Sequence, residues 1–402
     1  MKKIIFFLAV ILVNTAGLFA QGIEFTHATF SEALSKAKTE NKMVFMDCYT
    51  SWCGPCKMLA KNVFPLKEVG DYFNQRFVCV KMDMEKGEGI ELAKKYGVKA
   101  YPTLLFLDAD GKVLHTKVGG ADGPGLIEQA KIASDPSKQI RALHKKYDEG
   151  ERSVTFLSNY VKALANAYQM DKLAEVGEAF IKNTATEELL NVDAITIISY
   201  SGILKYGSQV FQFIIDNKDE YLSFDGIGEE DINGLLAGAI NNYYGEVASG
   251  SSLNDLKSAI EATKKVHVSA YQDYLETNAY KTYYLSHKEY DNWFQFSIDQ
   301  AEELMKTDKD QGTSMIIQSA FEVGVRPEFA EADDLAEKAA KYIEELIEKS
   351  DKEVLAGYFC LASLYKKLGD KEKALENINS YISISKEESP RVTKLKSEIE
   401  GM

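Results

Sequence analysis

The chain has 402 residues, 45% of them hydrophobic and 27% charged, with 27 Gly and 7 Pro. This composition fits two or three globular domains at roughly 150 residues each and excludes a collagen-like or wholly disordered chain. The net charge of −14 argues against the clustered basic face of a nucleic-acid binder and weakens attraction to anionic membranes.

Residues 1–20 read as a signal peptide. Lys2 and Lys3 precede an apolar run, Ile4 to Val13, and a smaller, partly polar stretch ends at Ala20. The run is shorter than the ~20 residues a membrane span needs. Cleavage after Ala20 is the expectation, with an uncleaved anchor as the alternative, since Leu18 is larger than the usual residue near such a cut. No Cys directly follows the run to carry a lipid. No later segment combines membrane length with absence of charge, so the mature chain is expected to make no stable membrane insertion. A periplasmic or secreted location follows, with a bacterial periplasm as the expected compartment.

Residues 22–134 alternate strand and helix signals. Residues 24–30 suggest a short strand or lead-in, and residues 31–41 an amphipathic helix capped by Ser31. Met43 to Cys48 is strand-like, Ser51 to Lys57 is a turn feeding a helix, and Phe77 to Met82 is a second strand. Ile90 to Tyr96 predicts a short helix ended by Gly97. Thr103–Leu107 and Lys112–Val118 form a hairpin about the turn Asp108–Gly111, and helix resumes from Leu126. The pattern predicts an α/β domain.

Asp135-Pro136 suits a new helix start, and residues 135–402 show no convincing strand. Phe156, Leu157, Tyr160, Val161, Leu164, Ala165 and Tyr168 recur at helical spacing, as do Leu335, Ala339, Tyr342, Ile343, Leu346 and Ile347. An all-α domain is expected. Its best single repeat, about residues 355–388, places Tyr358, Leu361, Ala362, Tyr365, Gly369 and Ala374 at the spacing of a tetratricopeptide repeat, with Ser350–Glu353 as a capping box ahead of it. One repeat cannot bury its own apolar face, so repeat-like hairpins must stack on it. The aromatics from Tyr271 to Phe296 are read as helix core, with a peptide-binding groove as the alternative.

The chemistry concentrates in Trp52-Cys53-Gly54-Pro55-Cys56-Lys57. Cys53 would open a helix, where unpaired N–H groups and the helix dipole favour a thiolate. Pro55 falls in the first turn, where its missing N–H costs nothing. Cys56, three residues on, shares the helix face. An exposed Cys53 would attack a disulfide and Cys56 would resolve the product. Half of a zinc site is the competing reading. It lacks partners, because no second Cys-x-x-Cys exists and the five His residues are scattered. No metal and no cofactor are expected. If Asp47 and Lys81 share one sheet face as a pair, strand alternation puts Cys48 and Cys79 on opposite faces, so both are read as buried free thiols, and Cys360 as a core residue.

These residues resemble the thioredoxin family over 22–134. The hexapeptide 52–57 stands intact. Asp47 matches the family's buried acid, Lys81 the lysine facing it, Tyr101-Pro102-Thr103 the loop with a cis proline, and Gly119-Gly120 the glycine region where substrate approaches. The run from Asp47 to Lys57 followed by Asn62-Val-Phe64 is similar to secreted domains such as the C-terminal domain of membrane thiol:disulfide interchange proteins. Lys61 stands where thioredoxin has a kink-forming proline, which implies a straighter active-site helix.

The resemblance implies catalytic roles for Cys53, Cys56, Asp47 and Lys81, with Cys53–Cys56 as the redox disulfide. It implies substrate contact at Trp52, Gly54, Pro55, Tyr101, Pro102 and Gly119. Trp52 has plain packing as its competing reading. The Gly-Pro dipeptide is similar to that of reducing members, so the expected function is a periplasmic protein disulfide reductase. Its partners would be protein disulfide clients and a membrane thiol relay that supplies electrons. The alternatives are a disulfide isomerase or oxidase, and a helical scaffold whose thioredoxin-like domain only binds.

Overall fold

A computed structural model describes residues 22–350, 354–386 and 390–402. The signal-peptide reading of residues 1–20 and most of the capping box at 350–353 lie outside the described residues. The chain divides into two compact units. One closes at Glu151 and takes in Asn166–Tyr168; the other comprises Arg152–Ala165 and Gln169–Met402.

The first unit is α/β. Its elements are α1 (Phe30–Glu40), β1 (Met43–Tyr49), α2 (Gly54–Asn62), α3 (Lys67–Arg76), β2 (Phe77–Asp83), α4 (Gly89–Tyr96), β3 (Thr103–Leu107), β4 (Val113–Val118), α5 (Gly123–Ser134) and α6 (Ile140–Asp148). The sheet order is β2-β1-β3-β4. β1 runs parallel to β2 and antiparallel to β3, while β3 and β4 form the expected hairpin.

Side-chain alternation in the central strand sorts the core into two layers. Val44, Met46 and Cys48 face Phe30, Ala33 and Ala37 of α1 and Leu92 of α4. Phe45 faces Leu59 of α2, Phe73 of α3 and Leu126 of α5, together with Phe106 from β3. Cys48 and Cys79 fall in different layers and are both free thiols.

Four local expectations need correction. Thr29, not Ser31, caps α1: its hydroxyl accepts the Glu32 N–H while the Glu32 carboxylate accepts the Thr29 N–H. Residues 24–30 make only one bridge to the sheet, Phe25 with Cys79. Asp135-Pro136 starts a turn rather than a helix, because the Asp135 carboxylate takes both the N–H and hydroxyl of Ser137, and α6 begins at Ile140. The helix after the cysteines is interrupted rather than straight. It ends at Asn62, where the Leu59 carbonyl accepts from both Val63 and Phe64, and Pro65 cannot donate to extend it.

The second unit is helical, with no strand among the described residues beyond Val118. The periodic segments form helices Val154–Asn166 and Asp333–Glu348, which bury Leu157, Tyr160 and Leu164, and Leu335, Ala339 and Ile343. Tyr168 lies past the first helix, left-handed and exposed. Helices Leu355–Lys367 and Lys371–Ser385 pair as a hairpin about Gly369, burying Leu361, Ala362, Tyr365 and Ala374. Of the aromatic stretch, Trp293 and Phe294 lie in the core against Phe329 and Tyr342 respectively, as packing requires, whereas Tyr274 is exposed.

Phe45 is fully buried and packs on Phe64, Phe73 and Phe106 at centroid distances of 4.8–6.2 Å. Phe45→Ala should cost the first unit about 3–5 kcal/mol. Urea unfolding followed by Trp52 fluorescence in a Trp293→Phe background checks this. That background breaks no hydrogen bond among the described residues, because the Trp293 indole N–H is buried without a hydrogen-bond partner there.

Candidate redox site

β1 delivers the chain directly into the motif. After Tyr49 the backbone turns, with the Cys53 N–H donating to the Thr50 carbonyl at 3.2 Å, and α2 begins at Gly54. Cys53 is the N-cap residue. Its backbone is extended, and its Sγ accepts the Cys56 N–H at 3.1 Å. A sulfur thus occupies the place an Asp or Ser oxygen takes in an ordinary cap. Pro55 lies in the first turn, where no hydrogen bond is lost. Cys53 and Cys56 are joined as a disulfide with Cα atoms 5.3 Å apart.

Cys53 is not exposed in this oxidised form. It is 2% accessible and Cys56 4%, because the Cys53 sulfur turns inward to bond Cys56 and to receive its N–H. The exposed Cys53 expected from the sequence is thus not found in this disulfide-bonded form. Trp52 beside it is 54% exposed. Its indole N–H donates to the Glu85 carboxylate at 3.0 Å, and its ring meets Tyr101 edge-on at 5.9 Å. The Tyr101–Pro102 peptide is cis. The Pro102 carbonyl accepts the Gly119 N–H at 2.8 Å, and Gly119 itself is left-handed (φ 87°), which favours glycine. Gly54 has open space where a side chain would project.

Asp47 sits in the middle of β1, opposite Lys81 on β2 and Leu104 on β3. Its side chain is fully buried, and the Lys81 ammonium, 30% exposed, lies 3.4 Å from Oδ2. Neither carboxylate oxygen has a hydrogen-bond partner among the described residues, so the contact is an ion pair without hydrogen-bond geometry. Burial pushes the Asp47 carboxyl up to about 6, against the opposing pull of Lys81. Burial also raises the Cys48 and Cys79 thiols far above the ordinary cysteine range, which makes them poor nucleophiles.

The sequence-read residues thus gather in three groups: the cysteine pair, Asp47 with Lys81, and Trp52 with the Tyr101–Pro102–Gly119 loops. Sequence reasoning missed Glu85, which orients Trp52 from 33 positions away, and the rings of Phe25, Tyr49 and Phe64 around Lys81. Only Tyr49 carried a signal, since it stands two residues from Asp47 on one strand face. The Thr50 hydroxyl is also buried, without a partner among the described residues.

Two sulfurs three residues apart at a helix start, able to close and open a disulfide, define a protein of dithiol–disulfide exchange. The thioredoxin family model matches residues 21–131. Thioredoxin of Bacillus subtilis is 41% identical over 83 residues, 21% of this chain and 74% of that protein. A thioredoxin-like protein of Synechocystis sp., slr0233, is 34% identical over 105 residues, 26% of this chain and 91% of that protein. Among solved structures, that of a candidate disulphide-isomerase from Bacteroides thetaiotaomicron is 54% identical and covers 29% of this chain and 97% of its own, with a TM-score of 0.28. The chain belongs to the thioredoxin family and is a thiol–disulfide oxidoreductase.

The raised Asp47 pKa has a signed consequence. The folded state binds this proton more tightly than the unfolded chain, so stability falls as pH rises from about 4 to about 6 and then levels off. In Asp47→Asn that fall disappears. The variant should gain about 3 kcal/mol over wild type at pH 7.5 and almost nothing at pH 3.5. Urea titrations of the oxidised proteins at both pH values measure the difference, and an equal effect at both would refute the assignment.

Proposed function

We propose that the protein is a periplasmic disulfide reductase that acts on client proteins through Cys53 and Cys56. The observation that carries this reading is the Cys53 sulfur seated as the cap of α2, where it accepts the Cys56 N–H. The same N–H groups and helix dipole favour a Cys53 thiolate once the disulfide is reduced.

The Cys53 thiolate attacks a client disulfide, a bond forms between Cys53 and one client sulfur, and the other client sulfur leaves as thiolate. Cys56 then attacks the Cys53 sulfur of this mixed disulfide. Asp47 takes the Cys56 proton, the client leaves with two reduced sulfurs, and the enzyme keeps the Cys53–Cys56 disulfide. A carboxyl with its pKa near 6 can both accept and return a proton close to neutral pH. We assign client contact to Trp52, Gly54, Pro55, Tyr101, Pro102 and Gly119. The exposure of Trp52 and its edge-on contact with Tyr101 support this.

Each turnover consumes two electrons. A membrane thiol relay would restore them, and residues 1–20, read as a signal peptide, support that compartment. We assign client holding to the helical unit and read its Leu355–Lys367 and Lys371–Ser385 hairpin as a tetratricopeptide-like repeat. A cavity of about 550 Å³ in this unit, lined in part by Phe321, Phe359, Lys366, Arg391 and Lys394, supports a holding role.

Insulin reduction tests the chemistry: Cys53→Ser should lose activity by at least about a hundredfold, the scale on which removal of a reacting group registers. Activity equal to wild type sinks the proposal. Cys56→Ser should hold clients as mixed disulfides, which mass spectrometry of non-reduced adducts identifies. A redox titration gives the direction. A reductase should sit near about −270 mV, and a value above about −150 mV would point to an oxidase or isomerase instead.

A further inference from the structure

An ammonium on a long, flexible stem ordinarily reaches for water, yet Lys81 stays beside the buried Asp47. Three rings surround it. The Lys81 nitrogen lies 5.4 Å from the ring centroid of Phe25, 5.2 Å from that of Tyr49 and 5.3 Å from that of Phe64. Each falls within the ~6 Å over which a ring's quadrupole attracts a cation. The rings come from three separate segments: the arm ahead of α1, the end of β1, and the break between α2 and α3.

We infer that Phe25, Tyr49 and Phe64 form a cage that holds the Lys81 ammonium against Asp47, which makes Phe25, on the arm, a positioning residue for the acid of the exchange reaction. The inference rests on the proposed proton role of Asp47, and its test is read independently of turnover.

The arm that carries Phe25 is built in rather than incidental. The Ile23 N–H donates to the Phe64 carbonyl and the Thr26 N–H to the Cys79 carbonyl, both at 2.8 Å. The Asn74 side chain accepts the Glu24 N–H and donates to the Gly22 carbonyl. A Cβ on Gly22 would meet the Phe64 carbonyl oxygen at 2.2 Å, so glycine is what permits this approach. The rings of Phe25 and Phe64 meet edge-on at 5.1 Å.

Rings suit this task because their faces attract a cation without placing a rival carboxylate beside it. Around Asp47, β2 contributes Lys81 and β3 contributes the apolar Leu104. The buried residues of α2 are Cys56 and Leu59, with Lys57 and Lys61 exposed. The Tyr49 hydroxyl feels Asp83, Asp47 and Lys86. Glu24 and Lys42 act on Cys79. Lys81 is thus the ionic partner of Asp47 among the described residues, and whatever holds Lys81 sets how readily Asp47 ionises.

The sign of the effect separates a cage from a lid. If the Phe25 ring holds Lys81, its loss lets the ammonium drift to water, Asp47 loses countercharge, and its titration midpoint rises. If the ring merely excludes water, its loss hydrates the carboxylate and the midpoint falls. The Asp47 midpoint can be read by carboxyl carbon NMR on the oxidised full-length protein. Phe25→Leu should raise it by roughly half a pH unit to one unit, and Phe25→Tyr should leave it unchanged. Lys81→Met should raise it further, and adding Phe25→Leu to Lys81→Met should do nothing more. A constant or falling midpoint in Phe25→Leu, or an undiminished shift in the Lys81→Met background, overturns the inference. The insulin-reduction kinetics of Asp47→Asn bear only on the exchange reading, so the two can fail separately.

Discussion

Putting a carboxylate into the central strand of a sheet costs several kcal/mol unless a countercharge accompanies it. Here the countercharge is one lysine, aligned by strand register, at 3.4 Å and without hydrogen-bond geometry. The compensation is incomplete, and that incompleteness is useful. A carboxyl with full partners would stay ionised at any physiological pH, and one with none would stay protonated. Asp47 lies between these limits, with its pKa near 6. A group in that range can exchange a proton with a thiol during a reaction. Under the proposed mechanism, the stability penalty above about pH 6 accompanies that role.

The same strand organises everything near the site. β1 pairs on both sides, and its alternation sends Phe45 and Asp47 to the layer shared with α2, and Met46 and Cys48 to the layer shared with α1 and α4. It then ends and hands the chain to Cys53. The acid, the core ring and the redox turn are consecutive products of one extended segment. A register slip of one residue would move Asp47 to the wrong face and displace the packing of Phe45 with it. Fold and chemistry therefore share one register constraint.

Much of this was legible in the sequence because the signals are local or periodic. The Cys-x-x-Cys spacing with Pro55, the alternation that separates Cys48 from Cys79, and the helical periodicity after residue 150 all report neighbours a few positions apart. Thr29 was legible as well: Glu32 stands three residues after Thr29 but Leu34 three after Ser31, so only Thr29 can complete a capping box. Asp135-Pro136 misled because an Asp can satisfy a turn as well as a helix start. The ring cage and the Trp52–Glu85 bond were illegible for a different reason. Each joins segments tens of residues apart, and no local pattern marks a ring that serves a cation rather than a core. The burial of Cys53 was not legible either, because a side chain's exposure depends on neighbours the local motif does not name.

The interruption after Asn62 has an outcome beyond the helix itself. In a continuous helix the carbonyl of residue 64 would be spent on the N–H four positions later. With the helix broken, that carbonyl turns outward and receives Ile23. The lost turn thus becomes a mooring for the N-terminal arm, and the arm brings in the ring of Phe25. The end of one helix and the surroundings of a lysine in the next strand are thereby joined through a single backbone hydrogen bond.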